Sequence, residues 1–222
     1  MEDPVSTARP ADLAPNTPGS YAAPAFPRQP EAVELAGTLI HTRQTILPKR
    51  LGAPGPDEAQ LHRILQAAAA APDHHQLTPW RFVLVPAAAR DRLGEAFADA
   101  LRERDATAST EQLAQAAEKA GRAPLLMLAI ARLRDDDREI PAAERIVSAG
   151  CAIQNMLLMA HALGFGAALT SGKAIDSRPL RELFGLKEHE QALCFISMGT
   201  VIKARPRPER PGTANYVSEL NP

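Results

Sequence analysis

Residues 67–85 read AAAAAPDHHQLTPWRFVLV, and the punctuation of this stretch decides the fold. A run of small residues stops at Pro72. A short polar loop follows (Asp73, His74, His75, Gln76), and Pro79-Trp80 then leads into the apolar run Phe82-Val83-Leu84-Val85. A proline pushes the residue before it out of the α region, so Pro72 closes a helix and Pro79 precedes a strand. The chain's only tryptophan therefore stands at a strand entrance, just after a loop dense in hydrogen-bonding groups. A polar loop held between a helix end and a buried strand is where a rigid scaffold presents ligand contacts.

The flanking sequence supplies more helices and strands of the same kind. Glu31 to Thr42 reads as a first helix, with Val33, Leu35, Leu39 and Ile40 on one side. A second runs from Pro56 to Ala71, with Pro56 at the first helical position, Asp57 and Glu58 at the positive end, and an apolar stripe of Leu61, Ile64, Leu65 and Ala68. Ala88 to Arg104 is amphipathic. Another helix begins at Ser109, whose spacing to Gln112 is that of a capping box, and ends near Gly121. Beyond Pro124, LLMLAIA fits a strand covered on both faces, and Arg132 to Glu139 is a charged connection. Glu144 to Leu163 is a long helix, apolar around most of its circumference, so it is either central or packed against a second subunit. Gly164 closes it. Phe165–Thr170 is a strand, Arg178–Phe184 a helix, and Ala192–Met198 a last buried strand before Gly199-Thr200 opens a basic, proline-rich tail. The pattern predicts a mixed α+β domain with about four core strands.

With 222 residues and 23.8 kDa, the chain is long enough for one domain with a sizeable core. Its 25 basic and 26 acidic residues nearly cancel, so total charge favours neither nucleic acid nor a membrane surface. Cys151 and Cys194 both lie in apolar runs and read as reduced core residues, which suits a reducing, cytoplasmic setting. No basic-then-apolar signal segment opens the chain, and the longest apolar stretch, Cys151 to Leu169, is broken by polar residues and glycine. Residues 1–30 are different material. They are rich in proline and alanine, have no apolar periodicity, and read as a disordered arm preceding a domain at 31–222.

The Ala-Pro-Asp-His loop ending in Pro-Trp-x-Phe resembles the nitroreductase family of flavoproteins, in the form typical of its small single-domain branch. Further motifs in the same order extend the resemblance from about Leu35 to Ala204. It implies the nitroreductase fold: a mostly antiparallel central sheet flanked by helices, in an interlocked homodimer with FMN at the subunit interface. It also implies a reaction. NADH or NADPH passes hydride to flavin N5, and an electron-poor acceptor such as a nitroaromatic or a quinone is reduced in the second half of a ping-pong cycle.

Residue by residue, the resemblance implies four groups of FMN contacts. The first is Thr42-Arg43-Gln44-Thr45 with Arg50, where the family holds the flavin phosphate with an Arg-Arg-Ser-x-Arg signature; here Thr42 replaces the first arginine and Gln44 the serine. Arginine suits that task because its planar fork gives two parallel hydrogen bonds to phosphate oxygens. The second is the opening loop with Ala70, His74 and Gln76, which in similar proteins lies against the flavin, often across the subunit boundary. Third come Leu169, Thr170 and Ser171, which follow Gly164 and Gly166 and bring backbone and small side chains to the flavin ring. Fourth are Lys203 and Arg205 after Gly199-Thr200, a second phosphate clamp. Met159 to Gly164 corresponds to a nicotinamide contact.

Taken without the resemblance, the basic turn after the first helix and the basic tail are solvated, and His74-His75 is an exposed loop pair or has one histidine capping a helix end. Adjacent histidines lack metal-ligand spacing, so no metal is expected. The serines carry no nucleophile-elbow motif, and Cys151 sits mid-helix in apolar surroundings where a thiol is inert, so no protein nucleophile is expected either. The same FMN contacts would serve an ene-reductase, a dehydrogenase of a metabolite, or a non-catalytic flavin-binding protein.

Overall fold

The computed structural model describes residues 30–134, 139–206 and 208–220; most of the proline-rich arm expected at 1–30 lies outside the described residues. Helix α1 spans Glu31–Thr42, strand β1 Leu51–Gly52, α2 Glu58–Ala68 and β2 Trp80–Leu84. Helices α3 (Arg90–Arg104) and α4 (Thr110–Glu118) precede β3 (Leu125–Arg132). The long helix α5 is Ala142–Ala162, followed by β4 (Gly166–Thr170), α6 (Arg178–Leu183) and β5 (Glu190–Val201).

The sheet has five strands, one more than expected, in the order β1-β5-β3-β2 with β4 also pairing β5. Every named pair is antiparallel, as the α+β reading requires. The extra strand is β1. Two residues between Arg50 and Ala53-Pro54 show no periodicity, so nothing local marks them as a strand. The tail also begins later than expected: Gly199 and Thr200 lie inside β5, opposite Gly166 and Gly52, and Thr200 Oγ1 donates to Pro54 O at 2.7 Å. Strand β5 is the hub of the sheet and pairs with β3, β4 and β1.

Local chemistry explains the helix starts. Helix α2 begins at Glu58 rather than Pro56, because Asp57 is the N-cap: its side chain accepts from Gln60 N while Gln60 Oε1 accepts from Asp57 N. Ser109 and Gln112 form the same reciprocal box on α4. Gly164 closes α5 at φ 87°, a conformation costly for a residue with a Cβ.

Pairing register puts alternate residues of the sheet on two faces. Met127, Ala129, Ile196 and Met198 pack against Ile64 of α2 and Ile153 and Met156 of α5. Leu126, Leu128, Ile130 and Phe195 pack against Leu93 of α3 and Leu180 of α6. Helix α5 is buried on one side only: Ile146 is 38% and Val147 65% exposed. The chain by itself therefore does not make it a central helix. Helix α1 has no buried residue at all. Cys151 and Cys194 are free thiols, and burial pushes the Cys194 thiol up to about 11. Among the described residues, no helix is long and apolar enough to cross a membrane.

One ion pair ties β2 to β5 across the intervening β3. Arg81 Nε and Nη2 donate to the two carboxylate oxygens of Glu190 at 2.7 and 2.8 Å, and Lys187 N adds a third bond at 3.1 Å. Glu190 is 5% exposed. Burial pushes its carboxyl pKa up, but the Arg81 and Lys187 donors outweigh it and hold the group below its ordinary value. Arg81→Met would leave that carboxylate buried without its partner, so we expect a loss of about 3 kcal/mol in urea unfolding at neutral pH. A carboxyl with a depressed folded pKa contributes stability above its unfolded pKa and loses it as pH falls through the folded value. The gap between wild type and variant should therefore narrow on acidification below the ordinary glutamate range. A gap independent of pH would mean that packing, not charge, sets the loss.

Candidate functional site

The segment after α1 is laid alongside β4. Thr45 bridges Ala167 in parallel, and Ile46 N donates to Ala167 O at 2.9 Å. Thr42, the last residue of α1, is fixed to the end of α5. Its hydroxyl donates to Thr38 O at 2.6 Å and meets His161 Nε2 at 2.7 Å. With the hydroxyl proton committed to Thr38, the imidazole nitrogen is the donor to Thr42.

Arg43 is the C-cap of α1, in an extended conformation. Arg210 Nη2 donates to its carbonyl at 2.8 Å. Burial, and secondly the neighbouring Arg210 guanidinium, push the Arg43 pKa below the usual arginine value; arginine remains charged regardless. Arg50 closes the same corner from the turn just before β1: its Nη1 donates to Ala204 O at 2.9 Å, and its carbonyl accepts from Ile202 N at 3.0 Å. Lys203 and Arg205 flank Ala204 and are exposed. The side-chain oxygen Oε1 of Gln44 is buried with no hydrogen-bond partner.

The structure thus brings two of the four motifs read from the sequence to one corner of the sheet, at the Gly166 end of β4: Thr42–Thr45 with Arg50, and Lys203 with Arg205. Cations from three separate segments lie there beside an unsatisfied amide oxygen. Leu169–Ser171 is at the other end of the same strand, where Leu169 and Thr170 face Ile196 and Phe195 of β5. Chemically, that set suits a phosphate-bearing ligand with a flat polar body.

The fourth motif lies elsewhere in the chain. Ala70 is exposed in the turn after α2. His74 Nδ1 pairs with Glu144 Oε1 at 2.6 Å, at the start of α5, whereas Thr42 meets His161 at its end. Seventeen residues separate those positions, which at 1.5 Å per residue is about 25 Å. Within one chain, Ala70, His74 and Gln76 are far from the cationic corner.

The loop that carries them is strained and tightly held. His75 (φ 55°), Gln76 (φ 55°) and Thr78 (φ 47°) all occupy the left-handed region without being glycine. Each such residue costs roughly 1–2 kcal/mol, which the surroundings must offset. Asp73 Oδ2 accepts from Thr78 N at 2.6 Å, Arg132 Nη2 donates to the carbonyl of Thr78, and Arg132 N donates to Pro79 O at 2.9 Å. The rings of His74 and His75 stack with centroids 4.3 Å apart. His161, Arg210, Glu144 and Arg132 are not expected from the sequence as contacts of this kind: Arg132 reads as the start of a charged connection, Glu144 as the start of the long helix, and His161 as a polar residue interrupting its apolar run.

The profile of the Nitroreductase family matches residues 40–200. A protein of Haemophilus influenzae named "Putative NAD(P)H nitroreductase" is 35% identical over 163 residues, which cover 73% of this chain and 86% of that one. The Escherichia coli protein named "Putative NAD(P)H nitroreductase YdjA" is 34% identical over 172 residues, covering 77% and 88% respectively. The solved structure of an FMN-dependent nitroreductase from Clostridium difficile superposes with a TM-score of 0.57 at 21% identity, over 82% of this chain and 98% of that one.

The loop geometry yields a direct test. Asp73→Ala removes the acceptor of the Thr78 amide, and three positive-φ residues then lose part of what holds them. Hydrogen exchange across 73–79 should accelerate by about tenfold, the equivalent of a charge-assisted bond, while exchange in β3 and β5 stays as in wild type. Unchanged exchange in the loop would show that Arg132 alone holds it.

Proposed function

The chain belongs to the nitroreductase family, and from that membership we propose that it is an NAD(P)H-dependent flavin oxidoreductase that uses FMN. The observation that carries the reading is the cationic corner, where residues matching the family's phosphate contacts come from the end of α1, the turn before β1 and the segment after β5, with the residues matching its ring contacts further along β4. The donor set fits FMN. Arg43, Arg50, Lys203 and Arg205 match a phosphate dianion, and the buried, partnerless Gln44 Oε1 is an acceptor suited to a ring or ribityl donor. Thr42 and Thr45 complete that wall.

When bound, FMN supplies the hydride-accepting and hydride-donating centre, and the protein supplies binding, orientation and exclusion of water. Arg43 and Arg50 hold the phosphate end. Leu169, Thr170 and Ser171 present backbone and short side chains to the flat ring. His161, donating to Thr42, fixes the end of α5, the stretch that corresponds to the nicotinamide contact. The acceptor we propose is an electron-poor compound such as a nitroaromatic or a quinone, reduced after oxidised nicotinamide departs, so initial-rate plots should be parallel, as in a ping-pong cycle.

A homodimer completes the site in this reading. The loop with Ala70, His74 and Gln76 lies about 25 Å along α5 from the cationic corner of its own chain, so a second copy, related by a two-fold axis, would bring its loop to that corner. The open apolar positions support this: Val33, Leu35 and Ile40 on α1 and Ile146 and Val147 on α5 are all more than one-third exposed. The two uncrosslinked thiols accord with work in a reducing, cytoplasmic compartment.

Three measurements test the proposal. Protein given FMN and then desalted should retain a flavin absorbance band that bleaches anaerobically with NADH or NADPH. A band that never bleaches would make the protein a flavin carrier, and no band at all would remove the cofactor. Arg43→Ala should weaken FMN affinity by roughly tenfold to a hundredfold, the loss of charge-assisted hydrogen bonds, with the thermal midpoint unchanged; equal affinity would take Arg43 out of the clamp. Val147→Glu should halve the sedimentation mass and release flavin together, and a monomeric wild type would end the shared-site reading.

A further inference from the structure

A second cavity lies on the opposite face of the sheet from α5. It has a volume of roughly 750 Å³ and is enclosed by α3, α4, the segment at 47–49 and the stretch after β4. Ligand cavities are typically on the order of 300–1,000 Å³. Its floor is apolar and aromatic: Phe97 and Phe195 meet edge to face with centroids 5.5 Å apart, and Leu101 and Leu126 lie beside them.

The charge of its wall is one-sided. Lys49, Arg104, Lys119, Arg122 and Lys173 line it, and no aspartate or glutamate does, although acidic residues slightly outnumber basic ones in the whole chain. Arg122 has a carboxylate partner, Glu118, at 3.5 Å. The other four have no ion-pair partner among the described residues. Lysines and arginines scattered on a surface repel little, but a ring of them over a low-dielectric floor focuses a positive potential into the cavity. One buried polar group also opens into it. Ser197 is 2% exposed and lines the cavity.

We propose that this cavity is a binding site for an organic anion with a flat apolar body, of the class of aromatic carboxylates. The ring would lie over Phe97 and Phe195, the carboxylate would meet Arg104 and Lys119 at the rim, and Ser197 would donate its hydroxyl proton at the floor. The site shares Thr170 with the proposed flavin contacts and adjoins them at Lys49, next to Arg50, and at Gly172, next to Ser171. Its existence does not depend on flavin binding.

The test uses 2-naphthoate as the probe, titrated calorimetrically into the full-length protein with and without saturating FMN. The expected result is one naphthoate per chain under both conditions, with the uncharged 2-naphthamide binding at least about tenfold more weakly. The double variant Arg104→Gln/Lys119→Gln changes two exposed helix-surface residues and should weaken naphthoate by about tenfold or more, with FMN retention and thermal midpoint as in wild type. Absence of naphthoate binding, equal binding of the amide, or undiminished binding by the double variant would each overturn the site. Displacement of naphthoate by FMN would overturn it too, because the cavity would then belong to the flavin pocket. A protein that retains no flavin but still binds naphthoate would fail the flavin reading and leave this one standing.

Discussion

Everything at the cationic corner depends on the absence of a side chain at Gly166. A Cβ there would stand 2.7 Å from Val201 Cγ2, 2.8 Å from Leu51 Cδ2 and 3.1 Å from Ile46 Cβ. Three segments distant in sequence close over the first residue of β4: the stretch after α1, strand β1, and the end of β5. Each carries cations within a few residues of the contact, Arg43 and Arg50 on one side and Lys203 and Arg205 on the other. Gly199, opposite Gly166, repeats the constraint from the next strand, where a Cβ would lie 2.7 Å from Pro124 Cδ and 3.0 Å from the Gly52 carbonyl oxygen. The neighbours of Gly199 are backbone and ring atoms that cannot swing aside, whereas those of Gly166 are side-chain atoms; overpacking a well-filled contact costs roughly 1–3 kcal/mol. The two glycines are thus structural conditions for assembling the charged groups, although neither has any chemistry of its own.

Helix α5 sets the other dimension. Its 21 residues make a rod about 30 Å long, and the two ends have different tasks. The start anchors the strained His74 loop through Glu144, and the end anchors Thr42 through His161. Because the rod is rigid and packed on the sheet along one side, no side-chain rearrangement in a single chain can bring the two ends together. Its open side, bearing Ile146 and Val147, is where a second rod would lie. The geometry that separates the motifs in one chain is therefore the geometry that would unite them in two, and the strain held at His75, Gln76 and Thr78 makes sense if that loop must keep one shape for a partner's site.

Much of this was legible from the residues, and the failures have local causes. Both capping boxes, the proline punctuation around the loop, the glycine stop of α5 and the buried strand at 125–131 are written in short-range chemistry, so sequence spacing finds them. Strand β1 is only two residues long and exists because β5 offers it an edge, so no local signal announces it. Gly199-Thr200 looks like a chain break because glycine is a poor strand former; its place inside β5 follows from the close packing with Pro124 and Gly52, which is visible only in three dimensions. The long helix shows the same limit. Its composition marks it as needing cover on most sides, but whether that cover comes from its own chain depends on where the other helices fall. The motifs were recognisable one by one, whereas which of them share the corner, and the roughly 25 Å gap to the His74 loop, are properties of the fold alone.

The arginines divide by what satisfies them, and that division separates scaffold from site. Arg81 is locked to Glu190. Arg90 donates to the carbonyls of Val85, Ala120 and Pro124, stitching the end of β2 to the entrance of β3, and burial lowers its pKa. Arg132 holds the loop carbonyls, and Arg181 those of Lys187 and Glu190. These guanidiniums serve as cross-links, their charge balanced by carboxylates or peptide dipoles already present in the fold. At the corner the arrangement differs. Arg43 is pressed against Arg210, and no carboxylate among the described residues pairs with either, or with Arg50, Lys203 or Arg205. A folded chain gains nothing from gathering like charges at one place, since each raises the electrostatic energy of the others. Such a cluster, held in position by backbone contacts and two obligatory glycines, is stabilised only when an anion enters it, and a phosphate would turn the repulsion among these side chains into affinity.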